Sequence, residues 1–329
     1  MNPKRRRQFH HFVLLFALTV FAHNGAGAVP PSAQIDLLAD TDFKCGLKGI
    51  DRDKRPIEIQ WDKAAARPVW QVAQHHSQSN VADQAGQTIH PSGFTFKDER
   101  QWLSLHPEKE DADFILGVNA RSEFGGKFRG KGDPWPHLYL TQRISPPGGH
   151  LGADAPSLAD LSRLDFGVRV RLLFDHRNAI TGHDPRLHAA QFVFFLTIQN
   201  LNRTSPGHGD YFWFGVMLYD DRYPVTSLKA QLDAGSPKKP ATGKLIYDIG
   251  VKPFTDQVVA AGEWVDVHGD LLPHVIAGLN EAWRRGYLGD SKNLSDYRVG
   301  SAVLGWEITG LNDAAMAVRN LRCQAQTKQ

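Results

Sequence analysis

The chain has 329 residues, of which 41% are hydrophobic and 22% charged, so it is long enough to bury a large core. Its formal net charge is +3, but four of the 38 basic residues fall within the first seven positions, which leaves 34 basic against 35 acidic side chains. The chain after position 7 thus has a net charge near zero, which argues against nucleic acid or an anionic membrane surface as the partner.

The N-terminus has the three parts of a cleavable secretory signal: basic residues at 4–7, an apolar run over 12–22 and small residues at 26–28. The apolar run is too short to span a bilayer. The sequence therefore predicts an exported protein, either secreted or periplasmic. Residues 1–28 would be the signal peptide and residues 29–329 a single domain, with no membrane span in the mature protein.

Residues 70–80 join a tryptophan to a run of imidazole and amide groups. We interpret this run as a binding loop in which Trp70, His75 and Gln78 contact the substrate, although a solvated turn has the same composition. His75 and His76 are adjacent, so on a strand they point to opposite sides and make a poor pair of metal ligands. No metal site is predicted here.

Residues 135–143 are predicted to form a strand, and one of its faces carries more potentially reactive side chains than any other predicted strand face. Its leucines face the core, while His137, Tyr139 and Arg143 fall on the other side at two-residue spacing. An imidazole, a phenol and a guanidinium in that arrangement can reach one ligand that lies across the strand. We take these three as candidate catalytic residues and Trp135 as a substrate-binding residue.

Two long strands joined by a polar loop are predicted within residues 190–220. Alternate positions are purely apolar, and the opposite face mixes amide, hydroxyl and aromatic side chains. The residues of this mixed face that we take as substrate-binding are Gln191, Tyr211 and Trp213. By the same alternation Tyr219 joins the mixed face and Asp220 falls on the apolar one. The alternative is a strand pair that is buried on both sides.

A loop between the predicted strands contains three histidines, His176, His183 and His188. Their spacings of seven and five residues match no helix-based zinc motif. The sequence predicts neither a metal nor a cofactor.

Only one amphipathic helix is predicted, over about residues 270–285, with Gly286 ending it. Strands follow at 303–310 and 316–323, and Glu307 points away from the apolar face as a candidate catalytic carboxylate. The whole pattern gives about ten to twelve short strands and indicates an all-β fold. We predict a two-sheet antiparallel jelly-roll sandwich with one packed helix.

Cys45 and Cys323 are the only cysteines, one near each end of the predicted domain. In an oxidising compartment such a pair predicts one disulfide between the first and last strands. The alternative is two unrelated buried thiols.

The strand lengths, the aromatic inner faces and the late Gly-Trp-Glu-Ile strand at 305–308 resemble secreted jelly rolls of the concanavalin-A-like lectin and glucanase type. A shorter likeness is to the jelly-roll alginate lyases. Arg121-Ser122-Glu123-Phe124 is similar to their early Arg-(Ser/Thr)-Glu-Leu-Arg strand, and residues 211–217 to their late Tyr-Phe-Lys-x-Gly-x-Tyr strand. The chain departs from these motifs at Gly125, Trp213 and Met217, and its Gln-Thr-Ile-His run at 87–90 is out of order.

The leading functional prediction is a secreted lectin-like protein that binds a poly- or oligosaccharide through aromatic rings and hydrogen-bonding side chains. One alternative is a polysaccharide lyase, in which Arg143 with Gln191 neutralises a uronate carboxylate and His137 or Tyr139 is the base. A second is a glycosidase that uses Glu307 and another carboxylate. A third is a structural envelope protein without a small ligand. Arg143 further favours acidic sugars through a bidentate contact.

Overall fold

The structure is a computed structural model that describes residues 33–144, 152, 154–178, 181–238 and 240–329. The predicted signal peptide, residues 1–28, lies outside the described residues. Within the described part no helix is long and apolar enough to cross a membrane.

The described residues form seventeen strands and two α-helices. The strands are β1 (Gln34–Asp36), β2 (Leu47–Ile50), β3 (Pro56–Ile59), β4 (Trp70–Ala73), β5 (Gln87–His90), β6 (Gly93–Lys97), β7 (Gln101–Leu105), β8 (Phe114–Asn119), β9 (His137–Arg143), β10 (Leu161–Arg177), β11 (Ala190–Asn200), β12 (Tyr211–Asp220), β13 (Lys229–Leu232), β14 (Leu245–Asp248), β15 (Val265–Asp270), β16 (Tyr297–Ile308) and β17 (Asn312–Thr327). The helices are α1 (Ala120–Glu123), which is a single turn, and α2 (Leu272–Arg284).

The strands form two sheets. The first sheet has eight strands in the order β15, β10, β17, β8, β7, β6 and β5, with β1 also paired to β17. The second has nine, in the order β13, β14, β12, β11, β16, β9, β4, β2 and β3. The predicted all-β sandwich with one packed helix is confirmed. One detail differs, because β14 lies parallel to β12 and β4 parallel to β2, which makes the second sheet mixed.

The core lies between the two sheets and follows the predicted alternation. Phe192, Phe194, Leu196 and Ile198 of β11 are all fully buried, as are the matching residues of β12. The Phe194 ring stacks on Phe166 of the first sheet, with 4.6 Å between the centroids. The indole N–H of Trp306 donates to the carbonyl oxygen of Leu116 across the core, at 2.8 Å. Both sheets therefore share one apolar core.

Helix α2 closes one side of this core. Leu272, Val275 and Leu279 are buried, at the helical spacing that the sequence predicts. A Cβ at Gly278 would stand 2.9–3.0 Å from ring carbons of Phe212 and Tyr247, so the glycine lets the helix lie close to the second sheet. The helix ends before Gly286, whose φ of +84° is the left-handed conformation of a helix C-terminus.

A β-bulge reverses the predicted facing of two residues at the end of β12. Phe192 pairs with Tyr219 but Val193 pairs with Met217, so Leu218 is an extra residue that β11 does not match. An extra residue shifts the two-residue period of every residue beyond it. Tyr219 consequently turns inward and its ring meets Trp306, while Asp220 turns outward. The sequence alternation predicted the opposite.

The predicted disulfide is not formed: Cys45 and Cys323 are both free cysteines in the structure. Cys323 lies on β17 of the first sheet and points into the core. Cys45 precedes β2 of the second sheet, half-buried, and its backbone N–H donates to Asp40. The first and last strands, β1 and β17, do pair in the first sheet, but Cys45 lies beyond β1, next to β2 of the second sheet.

Candidate functional site

One row of polar side chains crosses the second sheet on its outer face, the face turned away from the core. His137 of β9 lies opposite Glu307 of β16, which lies opposite Gln191 of β11, which in turn lies opposite Asp220 of β12. Directly opposed residues share a face, and neighbouring strands are about 4.8 Å apart, so the row is roughly 14 Å long. We call these four residues the polar row.

Tyr139 supplies the closest contact to the polar row. Its hydroxyl donates to Oε1 of Glu307 at 2.5 Å. Burial, together with the negative charge of Glu307, raises the pKa of Tyr139 well above its usual value. The phenol is therefore a firmly protonated donor that orients the Glu307 carboxylate.

Asp220 ends the row as a neutralised carboxylate. It is 1% exposed and accepts two hydrogen bonds from the guanidinium of Arg222, at 2.7 and 2.6 Å, one from the backbone N–H of Arg222 at 3.2 Å, and one from Gln191 at 2.8 Å. The ammonium group of Lys229 lies 3.6 Å away. Burial raises the pKa of Asp220, but the bonds and charge of Arg222, helped by Lys229, outweigh burial and hold the pKa below its usual value. This carboxylate fixes the amide of Gln191 and has no oxygen left for a ligand.

Aromatic rings surround the other end of the row. The His137 ring lies between 5.2 and 6.0 Å from the rings of four residues, which are Tyr139, Trp135, His75 and His76. The guanidinium of Arg129 stacks on the Trp135 ring at 4.7 Å and donates to the carbonyl oxygens of Asp133 and Leu187. Arg129 thus ties the loop before β9 to the loop before β11 beside the polar row.

The remaining predicted residues of the outer face lie further along the strands from the polar row. Arg143 is exposed and shares a cross-strand row with Trp213 through Ser301 and Thr197. Tyr211 packs edge-on against Trp213 at 5.4 Å. Since Arg143 follows His137 by six residues, it lies roughly 20 Å along the strand from the polar row. The predicted residues therefore do not converge on one groove.

Two predicted substrate-binding residues lie elsewhere. Trp70 is fully buried, stacks on Phe43 at 5.0 Å and donates its indole N–H to the carbonyl oxygen of Asp40, so its assignment was wrong. The reason is that β4 turns Trp70 inward with Val72. Gln78 is exposed beyond the end of β4, where its carbonyl oxygen accepts a bond from Arg52, outside the polar row.

The structure does not assemble the lyase-like motifs into one strand face. Arg121, Ser122 and Glu123 lie in α1 and not in a strand, and Glu123 accepts hydrogen bonds from Ser77 and from the backbone of Gln78. The 87–90 run forms β5 at an edge of the first sheet, while 211–217 belongs to the second. The match at Arg121–Glu123 therefore does not carry over to the site.

The loop histidines have local partners. His188 is buried, stacks on Phe128 at 4.5 Å, and accepts a bond from the backbone N–H of Asp184. Among the described residues, no three His, Cys, Asp or Glu side chains form a group that could hold a metal ion.

Sequence reasoning missed Arg222, Asp233 and Asp248. Asp248 lies at the end of β14, opposite Gly215 of β12, and accepts the N–H groups of Met217 and Gly250 at 3.0 and 2.8 Å. Burial raises its pKa to about 6. The alternation of apolar and polar residues does not identify these three. Arg222 and Asp233 follow the ends of strands, and Asp248 ends a strand that pairs in parallel with the distant β12.

Comparison with protein-family models finds no match for this chain, and comparison with curated proteins finds none. Similar solved structures include a family 12 xyloglucanase from Bacillus licheniformis, 9% identical, covering 77% of this chain and 99% of that one with a TM-score of 0.41. An endoglucanase from Rhodothermus marinus is 10% identical over 78% of this chain and 99% of its own, with a TM-score of 0.36. A family 11 xylanase from Neocallimastix patriciarum is 10% identical over 77% and 95%, with a TM-score of 0.36. The likeness concerns the jelly-roll β-sandwich architecture alone.

Proposed function

We propose that this protein is an exported lectin-like protein that binds a neutral oligo- or polysaccharide at the polar row. The observation that carries the proposal is the hydrogen bond from Tyr139 to Glu307 within the row. It leaves an oriented carboxylate beside the amide of Gln191 and the imidazole of His137, groups that pair with sugar hydroxyls. The Trp135 ring next to them offers a flat apolar face of the kind that packs on a sugar ring.

The charges of the row favour a neutral sugar over an acidic one. Glu307 and Asp220 bring two carboxylates to the row, and Asp220 already occupies Arg222. Arg143, the residue expected to favour acidic sugars, is roughly 20 Å away along the strand. A uronate carboxylate bound at the row would therefore meet negative charge without a free guanidinium.

A lyase is disfavoured by the state of Tyr139. A tyrosine base must lose its proton, and that requires a lowered pKa. Burial and the adjacent Glu307 raise the pKa of Tyr139 instead. The other candidate base, His137, lies roughly 20 Å along the strand from Arg143, the predicted neutraliser of a uronate carboxylate, so we do not propose β-elimination at this site.

Glycoside hydrolysis is the second candidate, because the negative charge of a second carboxylate acts on the same tyrosine. The charge of Asp233, on the loop between β13 and β14, adds to the rise in the pKa of Tyr139. Two carboxylates on either side of a scissile bond are what most glycosidases use. In this candidate Glu307 and Asp233 are the pair.

The test is a panel of neutral and uronic-acid glycans, with binding measured by calorimetry and hydrolysis by the release of reducing ends. Glu307→Gln and Gln191→Ala should each weaken binding on the order of tenfold or more, since each removes a charged or buried hydrogen-bonding group. Arg143→Ala is the matched control on the same face and should bind as the wild type does. Reducing ends that disappear in both Glu307→Gln and Asp233→Asn would favour the hydrolase.

Equal losses in Arg143→Ala and Glu307→Gln would contradict a site at the row. If no glycan binds at all, the structural envelope protein becomes the better account.

A further inference from the structure

A glycine interrupts the outer face of the first sheet, the face turned away from the core. Phe166 and Val168 of β10 are buried in the core, so Gly167 between them faces outward. It lies opposite His268 of β15 on one side and Arg322 of β17 on the other. A glycine inside a strand gives up side-chain packing, and it often marks a place where another group approaches the backbone closely. The structure shows such an approach at Gly167.

The group that approaches Gly167 is the guanidinium of Arg322. A Cβ at position 167 would stand 2.4 Å from the guanidinium carbon and 2.7–2.8 Å from two of its nitrogens, too close for a real side chain. The guanidinium therefore lies directly on the backbone of β10. Within the described residues it makes no hydrogen bond and no ion pair. Arg322 thus provides a positive charge that is held against the sheet and has its N–H donors available.

A β-bulge in β17 explains why two arginines of this strand share the outer face. Gly167 pairs with Arg322 and Arg169 with Arg319, so β17 has one residue more than β10 between the two pairs. Asn320, at the bulge, has a φ of +56°, in the left-handed region that a non-glycine residue rarely adopts. Because the extra residue shifts the two-residue period, Arg319 and Arg322 both point outward.

A small cavity lies beside the Arg322 guanidinium. Its volume is about 140 Å³, and the residues that line it are Val168, Arg169, Asp266, His268, Asn320 and Arg322. Pockets for drug-sized ligands begin at about 300 Å³, so this cavity suits one small group and not a sugar chain. Side chains that can donate hydrogen bonds reach its wall from three neighbouring strands, β15, β10 and β17.

The charge along the wall of the cavity is positive. Arg169 is paired with Asp266, and its Nε lies 2.8 Å from a carboxylate oxygen. Arg322 adds a positive charge that no further carboxylate in the wall balances. Asp113, the carboxylate next to the bulge, accepts the backbone N–H of Asn320 and does not line the cavity. The other arginines of this face have carboxylates of their own, which are Asp165 for Arg163, Glu110 for Arg171 and Asp111 for Arg319.

We infer that this cavity is a binding site for a phosphate or sulfate group, separate from the polar row. A tetrahedral oxyanion accepts hydrogen bonds from several sides, as the three strands would donate them, whereas a carboxylate accepts them mainly within one plane. Guanidinium groups bind such anions through pairs of parallel hydrogen bonds. Since the Arg322 guanidinium is already held on Gly167, it loses little freedom when an anion binds. The site lies on the other sheet and does not rest on the proposed function.

Equilibrium dialysis with radiolabelled sulfate and phosphate tests the site, with the ionic strength kept constant by sodium chloride. The wild type should bind one anion per chain, saturably. A free ion and an ester present the same chemistry, so glucose 6-sulfate and glucose 6-phosphate form a second arm, measured by calorimetry. Tighter binding of an ester than of its free ion would show that the group belongs to a larger ligand, and the reverse would show a free ion.

Three variants separate the cavity from general charge. Arg322→Gln should weaken anion binding roughly tenfold or more, because hydrogen bonds between charged groups are the strong ones. Gly167→Ala keeps every charge but pushes the guanidinium off the strand, and it should weaken binding by a similar factor. Arg143→Gln is the matched control, since it removes an exposed arginine from the second sheet, and it should bind the anion as the wild type does.

Denaturant unfolding checks that each variant is folded. If Gly167→Ala is not, Arg322→Lys takes its place, because it keeps the charge, loses the planar fork and should bind several-fold more weakly. No saturable binding of any of these anions would overturn the inference. Equal losses in Arg143→Gln and Arg322→Gln, or full binding by Gly167→Ala, would overturn it as well. Arg322→Gln should bind glycans as the wild type does, so this result is independent of the test of the polar row.

Discussion

The two faces of the second sheet use the same strands for different purposes. On the inner face β11 presents only apolar side chains, and the first sheet seals them with extensive packing. On the outer face the alternate residues include Gln191 and Phe195, and the first sheet does not pack against them. Adjacent residues of β11 therefore have different roles: those on the inner face stabilise the fold, and those on the outer face belong to or border the candidate site. Substitutions on the inner face should cost stability, and those on the outer face should mainly change the site.

The adjacent residues Phe194 and Phe195 provide the sharpest test of this comparison. Phe194→Ala should lower the free energy of unfolding by about 3–5 kcal/mol, because it leaves a cavity opposite Phe166 in a closely packed core. Phe195→Ala is the matched control and should cost about half as much, since its ring lies on the outer face beside Trp213 and has no sheet packed on it. Denaturant unfolding at constant pH measures both. Equal costs, or a larger cost for Phe195→Ala, would break the distinction between the faces.

Asp248, a buried carboxyl at the end of β14, should make the free energy of unfolding depend on pH. Its pKa is raised from 3.8 to about 6 by burial, so folding favours the protonated carboxyl. The stability that it contributes is complete below about pH 4 and is lost as the pH rises through about 6, an effect on the order of 3 kcal/mol. Asp248→Asn keeps the oxygen that accepts the N–H groups of Met217 and Gly250 and should remove this component. Identical pH profiles of unfolding for the two proteins would contradict the prediction.

The hydroxyls of Tyr139 and Tyr297 allow a hydrogen bond to a carboxylate on the outer face to be compared with one to a neutral carbonyl oxygen elsewhere. Tyr139→Phe removes the donor to Glu307 and should cost about 1.5–3 kcal/mol, because bonds to charged groups are the stronger ones. Tyr297→Phe removes a bond to the carbonyl oxygen of Ser291 and should cost about 0.5–1.5 kcal/mol. Both are measured by denaturant unfolding near neutral pH. A smaller cost for Tyr139→Phe than for Tyr297→Phe would mean that the outer-face bond is not formed in solution.

The smallest expected effect is that of reductant. With Cys45 and Cys323 free, reduction should leave the free energy of unfolding unchanged within error. Burial raises the pKa of Cys323 to about 12, so this thiol should resist alkylation in the native protein, while the half-buried Cys45 reacts slowly. Denatured, unreduced protein should yield two thiols. A yield of none would restore the disulfide that the sequence suggested.

The sequence predicted the facing of most residues in the long strands, because an apolar period of two is a local property. Phe194, Leu138 and Trp306 all face the core as their alternation indicates. The prediction failed where a neighbour changed the geometry. Leu218 has no partner in β11, so the facing of Asp220 depends on strand pairing and cannot be deduced from β12 alone.

The candidate site was only partly predictable for a related reason. His137 and Tyr139 could be assigned to one face from their own strand, but Glu307 joins them through a pairing across some 170 positions of sequence. Arg143 was assigned to the same site because it shares a strand face with His137. A shared face does not mean that two residues are close, since they can lie far apart along the strand. Asp233 left no signal either, since it lies in a loop of glycine, proline and lysine whose sequence does not reveal what it contacts.

The bulge at Leu218 also makes β12 unusually tolerant of a change in length at one position. Without Leu218 the strand would alternate regularly, with Met217 outward, Tyr219 inward and Asp220 outward, and every side chain would keep its present face. A one-residue deletion elsewhere in β12 would instead reverse the residues that follow it and turn an aspartate toward the core. Leu218 is thus the point at which this strand can lose a residue at the cost of one leucine side chain while the polar row stays intact.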